Sequence, residues 1–317
     1  MRLYRRAALA LAEHGIAGVA HRARRRLLRP HGETLDPQMV AVKGAYQRLV
    51  ASFHERTRGI GIEGFDKYYW YHTIDLGGGL VTPGDYDYRA ALPSFKFADN
   101  MTGLSVLDVG SATGFFAFEF ERRGAEVTSV EIPSIEQWDA PKGDDRDPLM
   151  QEYLAEFGVK TVEELQRLHL DGPFEFCRDR LHSQMRRCHS TIYQLSPAVL
   201  GRASFDLVFI GDVLLHLISP FTALGVVAPL CADTLVISQE IGDEDERRPL
   251  MVYRGGERRG GDTYWLPNLP CFEAMLRRLG FRTISVVGYN AGVYRRDWIP
   301  YHRAIIHARK HPAVAPS

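Results

Sequence analysis

The amino-acid pattern predicts an α/β fold on a mainly parallel sheet, and three observations carry that prediction. Apolar runs of strand length occur at 104–109, 126–132, 205–210, 234–239, 282–288 and 301–308. Helical stretches at 219–231 and 270–280 separate the later runs, and alternation of this kind builds parallel strands joined by crossovers. The first run passes straight into a glycine turn and an apolar helix, LSVLDVGSATGFF at 104–116. An open, Rossmann-like sheet makes a nucleotide site in this way, because the turn lets a ligand approach the backbone and the helix start offers unpaired N–H groups.

Taken from the amino end, residues 1–30 carry eight arginines against one acid, Glu13, for a formal +7. The apolar run AALALA inside them is interrupted by Glu13 and His14 and is too short for an export signal or a membrane span, so a cytoplasmic protein without stable membrane insertion is expected. Residues 36–58 read as helical before Gly59, Gly61 and Gly64 break the run. The predicted division is therefore a helical extension, 1–64, and a catalytic-sized α/β domain, 65–317. Between the second and third apolar runs, 134–188 is a long polar, helix-prone stretch where one crossover would suffice, and it reads as a lid insertion.

Across 317 residues, Lys+Arg and Asp+Glu both number 39, so no global field recruits nucleic acid. The four cysteines, Cys177, Cys188, Cys231 and Cys271, lack paired C-x-x-C spacing, and neither a metal site nor a disulfide framework is expected. Oligomeric state leaves no readable signal.

The chemistry-bearing residues gather at the carboxyl ends of the predicted strands. Asp108 ends the first, and Gly110, Ser111, Ala112, Gly114 and Phe115 form the turn and helix start. Glu131 and Ile132 end the second run, with Glu131 placed where a carboxylate meets ribose hydroxyls. Ala112 holds the second-glycine place of a dinucleotide fingerprint, which serves a pyrophosphate poorly and disfavours an NAD-dependent oxidoreductase. The third run, FDLVFIGDVLLHL at 205–217, brings Asp212, Val213 and His216 to the same edge; the bland alternative for His216 is a brace for its loop. STIYQLSP at 190–197 offers Ile192 and Tyr193 to cover a base, against simple core packing of the same pair.

The order D-x-G-x-A-x-G resembles motif I of class I methyltransferases that use S-adenosylmethionine (SAM). Taken with YWYHTIDL at 69–76, VTPG at 81–84, GDVLLHL at 211–217 and TYWLPN at 263–268, the chain resembles the family of the tRNA wobble-uridine enzyme that uses carboxy-SAM, together with its small-molecule relatives. The resemblance covers about residues 65–290 and implies a class I methyltransferase fold with SAM as cofactor. It implies aromatic walls of Tyr68, Trp70, Tyr264 and Trp265 on the acceptor side, joined there by Thr82 and Asn268, with His72 as first and His216 as second candidate base. Residues 85–98 hold no lysine before Lys96 for an extra carboxylate, so plain SAM and a small-molecule acceptor are expected, with O-methylation of a natural product or sugar first. Modification of tRNA by carboxy-SAM is the alternative that the N-terminal arginines keep open, and a non-catalytic protein binding RNA or a partner is the third.

Overall fold

In the computed structural model, residues 37–242, 244–254 and 263–311 are described; the arginine-rich segment 1–30 lies outside them. The chain divides into two compact units, 1–51 and 52–317. The long helix expected over 36–58 spans Pro37–Arg56.

The sheet of the second unit follows from its apolar runs. Ser105–Val109 (β1) is buried along its whole length, as a strand covered on both faces must be. Glu126–Glu131 (β2), Arg186–His189 (β3), Phe205–Gly211 (β4) and Cys231–Gln239 (β5) run parallel with it, and Thr283–Tyr294 (β8) and Ile299–Arg309 (β9) close the edge as an antiparallel hairpin. The order is β3-β2-β1-β4-β5-β9-β8. This is the Rossmann-like, mainly parallel sheet that the sequence predicts. Because β2 lies to one side of β1 and β4 to the other, the chain reverses direction across β1, and ligands of open α/β sheets bind at the carboxyl ends beside such a point.

Both faces are covered. One core joins Val208, Ile210, Leu235 and Ile237 to helices Pro220–Leu230 and Leu269–Arg278. The other joins Val106, Val127, Phe209 and Ile305 to helix Phe115–Arg122, helix Gly172–Leu181 and the aromatic segment before β1.

Three features depart from the sequence reading. β3, with the basic text RRCH at the end of the sheet order, begins inside the span read as insertion, which therefore ends in a sheet strand. β8 extends past its apolar run to Tyr294 because a register shift between Val286 and Gly288 keeps it paired with β9. Met251–Tyr253 (β6) and Trp265–Pro267 (β7) form a small separate ladder. Within the insertion, a π-helical turn, Arg167–Asp171, links helices Val162–Gln166 and Gly172–Leu181; such turns commonly mark functional sites.

Candidate functional site

The carboxyl ends of β1, β2 and β4 open onto a cavity of about 570 Å³, within the range of small-molecule sites. Asp108, Gly110, Ser111 and Ala112 line it from β1 and its turn, Glu131 and Ile132 from β2, Ile192 and Tyr193 from the loop after β3, and Asp212, Val213 and His216 from the loop after β4. Gly114 and Phe115 lie behind the turn at the start of the helix, outside the lining.

The turn is held by its neighbours. Gly110 has φ 73, and a Cβ added there would sit far inside contact distance of Val213 Cγ2. Ala112 also adopts a left-handed conformation, φ 46, unusual for a residue with a Cβ. Its N–H donates to Glu131 Oε2 at 2.7 Å, while the Ile132 N–H donates to Oε1 at 2.8 Å.

Arg187, which the sequence reading passed over, supports the turn from below. Its Nη1 donates to Ser111 Oγ at 3.0 Å, to the Ala112 carbonyl at 3.2 Å and to Ser129 Oγ at 3.3 Å, and its guanidinium lies 3.9 Å from the Phe174 ring centre. Burial and the Glu131 charge hold the Asp108 carboxyl up at about 7, and Arg187 pulls it back. Arg187 was legible only as part of a basic tetrapeptide; the sole cue was an arginine sharing a short segment with Cys188, the strand's buried residue.

Across the cavity the wall is aromatic. Tyr69, Tyr71, Tyr86, Tyr88, Tyr294 and Tyr301 line it, with Tyr86 stacked on Tyr294 at 4.8 Å and on Tyr88 at 5.6 Å between ring centres. Burial raises the pKa of every one of these phenols, so they remain neutral hydrogen-bonding groups. Arg303 reaches in from β9, its Nε paired with Asp212 Oδ2 and its guanidinium 4.0 Å from the Tyr301 ring centre.

The acceptor-side residues expected from the resemblance are placed elsewhere. Tyr68 and Trp70 turn into the core, where their rings meet Phe65, and neither lines the cavity. In an extended segment successive side chains face opposite ways, so burial of 68 and 70 sends Tyr69 and Tyr71 to the cavity. Thr82 is fully buried and ties its own stretch of chain to residues 72–74: its hydroxyl donates to the His72 carbonyl and accepts from the Ile74 N–H, both at 2.7 Å. Gly84 crosses the His72 backbone so closely that any Cβ would overlap it. Tyr264 donates to the Asp139 carbonyl at 3.2 Å and Trp265 Nε1 to the Ile218 carbonyl at 2.9 Å, fastening the loop after β4. Tyr193 completes that corner by donating to Asp139 Oδ2 at 2.5 Å. Asn268 caps helix Leu269–Arg278 through Oδ1, which accepts from the Cys271 N–H at 3.0 Å.

His72 does line the cavity, but its chemistry is constrained. Its Nδ1 accepts from the Phe115 N–H at 3.4 Å, which leaves Nε2 protonated in the neutral ring, a donor toward the site. Burial, aided by Arg303, lowers its pKa to about 3. His169 on the π-helical turn falls to about 4 through burial and the Arg296 charge. His216 stands on a short helical turn, Leu214–His216, with its side chain at the cavity. Among the described residues no group of three or more His, Cys, Asp or Glu is arranged to hold a metal, and no helix is long and apolar enough to cross a membrane.

These shifts set a pH dependence of stability. Between about pH 4 and 6.5 the unfolded chain protonates His72 and His169 while the folded chain keeps both neutral; over the same range the folded chain retains the Asp108 proton that the unfolded chain releases. Counted over these three groups, the unfolded state then binds about one more proton than the folded state, a contribution that makes stability rise with pH by about 1.4 kcal/mol per unit across that window. Urea melts at pH 4.5, 5.5 and 6.5 check this; in His72→Gln the gradient should fall, because one of the histidines that the fold holds neutral is removed.

No protein-family model matches the sequence, and a search of curated proteins finds no match. Solved structures resemble it at low identity. The magnesium protoporphyrin IX methyltransferase of Synechocystis PCC 6803 with bound SAM is 16% identical over 70% of this chain and 77% of its own, with a TM-score of 0.40. The N-terminal domain of EvdMO1, determined with S-adenosylhomocysteine (SAH) and D-fucose, is 15% identical over 88% and 99%, with a TM-score of 0.45. The 1,6-didemethyltoxoflavin-N1-methyltransferase of Burkholderia thailandensis is 16% identical over 89% and 94%, with a TM-score of 0.41.

Proposed function

We propose that the chain is a SAM-dependent methyltransferase acting on a hydroxyl of a small molecule. The observation that carries this reading is one cavity whose two halves suit the two reactants. On one side lie a left-handed glycine turn and two carboxylates at the strand ends, and on the other a partly buried wall of neutral tyrosines. The cofactor half fits SAM by its own unmet needs. Asp108 Oδ2 is buried and has no hydrogen-bond partner among the described residues, so it suits the ammonium of the methionine end. Glu131 uses one lone pair on each oxygen for the Ala112 and Ile132 N–H groups, leaving others for ribose hydroxyls. Ile192 and Tyr193 are set to cover the adenine.

The sheet itself argues against a dinucleotide. Two parallel mononucleotide-binding halves take the order 3-2-1-4-5-6, whereas here antiparallel β9 and then β8 occupy the far edge. Within residues 85–98, Tyr86 and Tyr88 reach the cavity and Lys96 does not, which supports SAM over its carboxylated form. The arginines that favoured an RNA acceptor lie outside the described residues.

When bound, SAM supplies an electrophilic methyl group. The protein's own contribution is positioning, worth up to about 7–11 kcal/mol of the barrier. His72 serves as hydrogen-bond donor through Nε2 rather than as base. The reading is tested by titrating the protein with SAM and with NAD in a calorimeter: SAM should bind and NAD should not. Glu131→Ala should weaken SAM by about 1.5–3 kcal/mol through lost charge-assisted hydrogen bonds. Wild-type affinity in that variant would remove Glu131 from the ribose site.

A further inference from the structure

The cavity holds three buried side-chain atoms that find no hydrogen-bond partner among the described residues and come together at one place: Asp212 Oδ1, Arg303 Nη1 and Asn290 Oδ1. Their convergence follows from the sheet. Asn290 of β8 and Arg303 of β9 are register partners, so their side chains share one face. Asp212, just past the end of β4, has a left-handed backbone, φ 50, and its N–H donates to the Ser238 carbonyl of β5 at 2.8 Å. This turns its carboxylate onto Arg303, with which it pairs through Oδ2. Arg303 and Asn290 are 8% and 1% exposed, so solvent does not satisfy them as it would surface groups.

The chemistry of these atoms selects a ligand group. A carboxylate or phosphate would satisfy Nη1 but face the Asp212 and Asn290 oxygens with lone pairs. An ammonium would satisfy the oxygens but meet the guanidinium. A hydroxyl both donates and accepts, and two adjacent hydroxyls satisfy one donor and two acceptors together. Asp212 and Arg303 cancel in charge, and the guanidinium is held in place over the Tyr86 and Tyr301 rings, 5.0 and 4.0 Å from their centres.

We propose that Asp212, Arg303 and Asn290 form the anchor for an uncharged vicinal diol, carried on an alicyclic or an aromatic ring, and that Asp212 is the base for its methylation. The inference rests on the methyl-transfer reading above for its last clause only. In that step the hydroxyl oxygen forms the new bond to the methyl carbon, the sulfur–methyl bond breaks with its electron pair returning to sulfur, and the hydroxyl proton passes to Asp212 Oδ1. Asp212 thereby takes the role assigned from sequence to His72 and His216.

Binding is tested first, without turnover, by NMR titration of the intact protein saturated with SAH. The probes are cis-1,2-cyclohexanediol, a methyl hexopyranoside, catechol, cyclohexanol, 2-hydroxycyclohexanecarboxylate and 2-aminocyclohexanol. At least one diol should bind about tenfold or more tighter than the mono-alcohol, the acid and the amine, the worth of one good hydrogen bond; the alicyclic and catechol arms identify the ring type. Arg303→Lys keeps the charge opposite Asp212 but loses the forked donor, and it should erase the diol preference while SAH affinity is unchanged. Asp212→Asn should lower methylation of an alcohol by about 10²-fold or more while largely sparing 4-nitrocatechol, which ionises without help. Tighter binding of the acid or amine in the wild-type protein, or an unchanged diol preference in Arg303→Lys, overturns the anchor. Full alcohol turnover in Asp212→Asn overturns the base. Should SAM fail to bind at all, the methyl-transfer reading falls, and the diol preference is still decided by titration of the protein alone.

Discussion

Gly110→Val is expected to abolish SAM binding, with affinity falling by about 10³-fold or more. Two costs coincide. A β-branched residue at φ 73 is strained by about 1–3 kcal/mol, and its Cβ would lie inside the Val213 side chain. The turn can relieve that overlap only by moving away from β4, which pulls the Ser111 and Ala112 backbone out of the cavity wall and off Glu131. The two contributions separate in a double-mutant cycle with Val213→Ala. Shortening Val213 removes the overlap, so thermal stability should recover in part, while the backbone strain keeps SAM affinity low. Calorimetry and thermal melts on the four proteins check this. Near-wild-type SAM affinity in Gly110→Val would mean that the turn is not the cofactor cradle.

Arg187→Leu should destabilise the fold by about 3–5 kcal/mol, a large part of the roughly 5–15 kcal/mol that holds a domain together. The guanidinium is the positive charge set among Glu131, Asp171 and Asp108, and it supports the turn through Ser111 Oγ and the Ala112 carbonyl. Without it the Asp108 and Glu131 carboxylates repel each other in a buried setting. Asp108 should then hold its proton to a higher pH than the wild type's value near 7, and SAM affinity should weaken most below that pH, where Asp108 is neutral. Arg187→Lys returns the charge without the fork and should recover only part of the stability. Urea melts give the stability change, and SAM titrations from pH 6 to 9 give the shift. A loss below about 1 kcal/mol would fit a solvated edge-strand arginine instead.

The half of the cavity proposed for the cofactor was largely legible in the sequence because its signals are local. An apolar strand, a glycine turn and a carboxylate at the next strand's end are contiguous text, and parallel strands bring such ends to one edge whatever surrounds them. Asp108, Gly110, Ser111, Ala112, Glu131 and Ile132 accordingly all line the cavity. The acceptor half was not legible, since there the outcome turns on which face of an extended segment is buried. The sequence pointed to Tyr68 and Trp70, whereas helix Gly172–Leu181 supplies Phe176 to cover Trp70 and Tyr69 and Tyr71 line the cavity instead. Arg187, Asn290 and Arg303 come from edge and hairpin strands whose register no short motif encodes, and Arg303 meets Asp212 across 91 residues of chain only because β9 inserts beside β5. His72 shows the same division within one residue. Its position in the lid segment was readable, but its protonation belongs to the folded protein, where burial and the Phe115 N–H decide it. Local sequence thus determined the strand order's beginnings, the turn and the carboxylates. Tertiary structure alone decided which aromatic faces meet the ligand and which buried charges find partners, because desolvation and long-range register act only after the chain has closed.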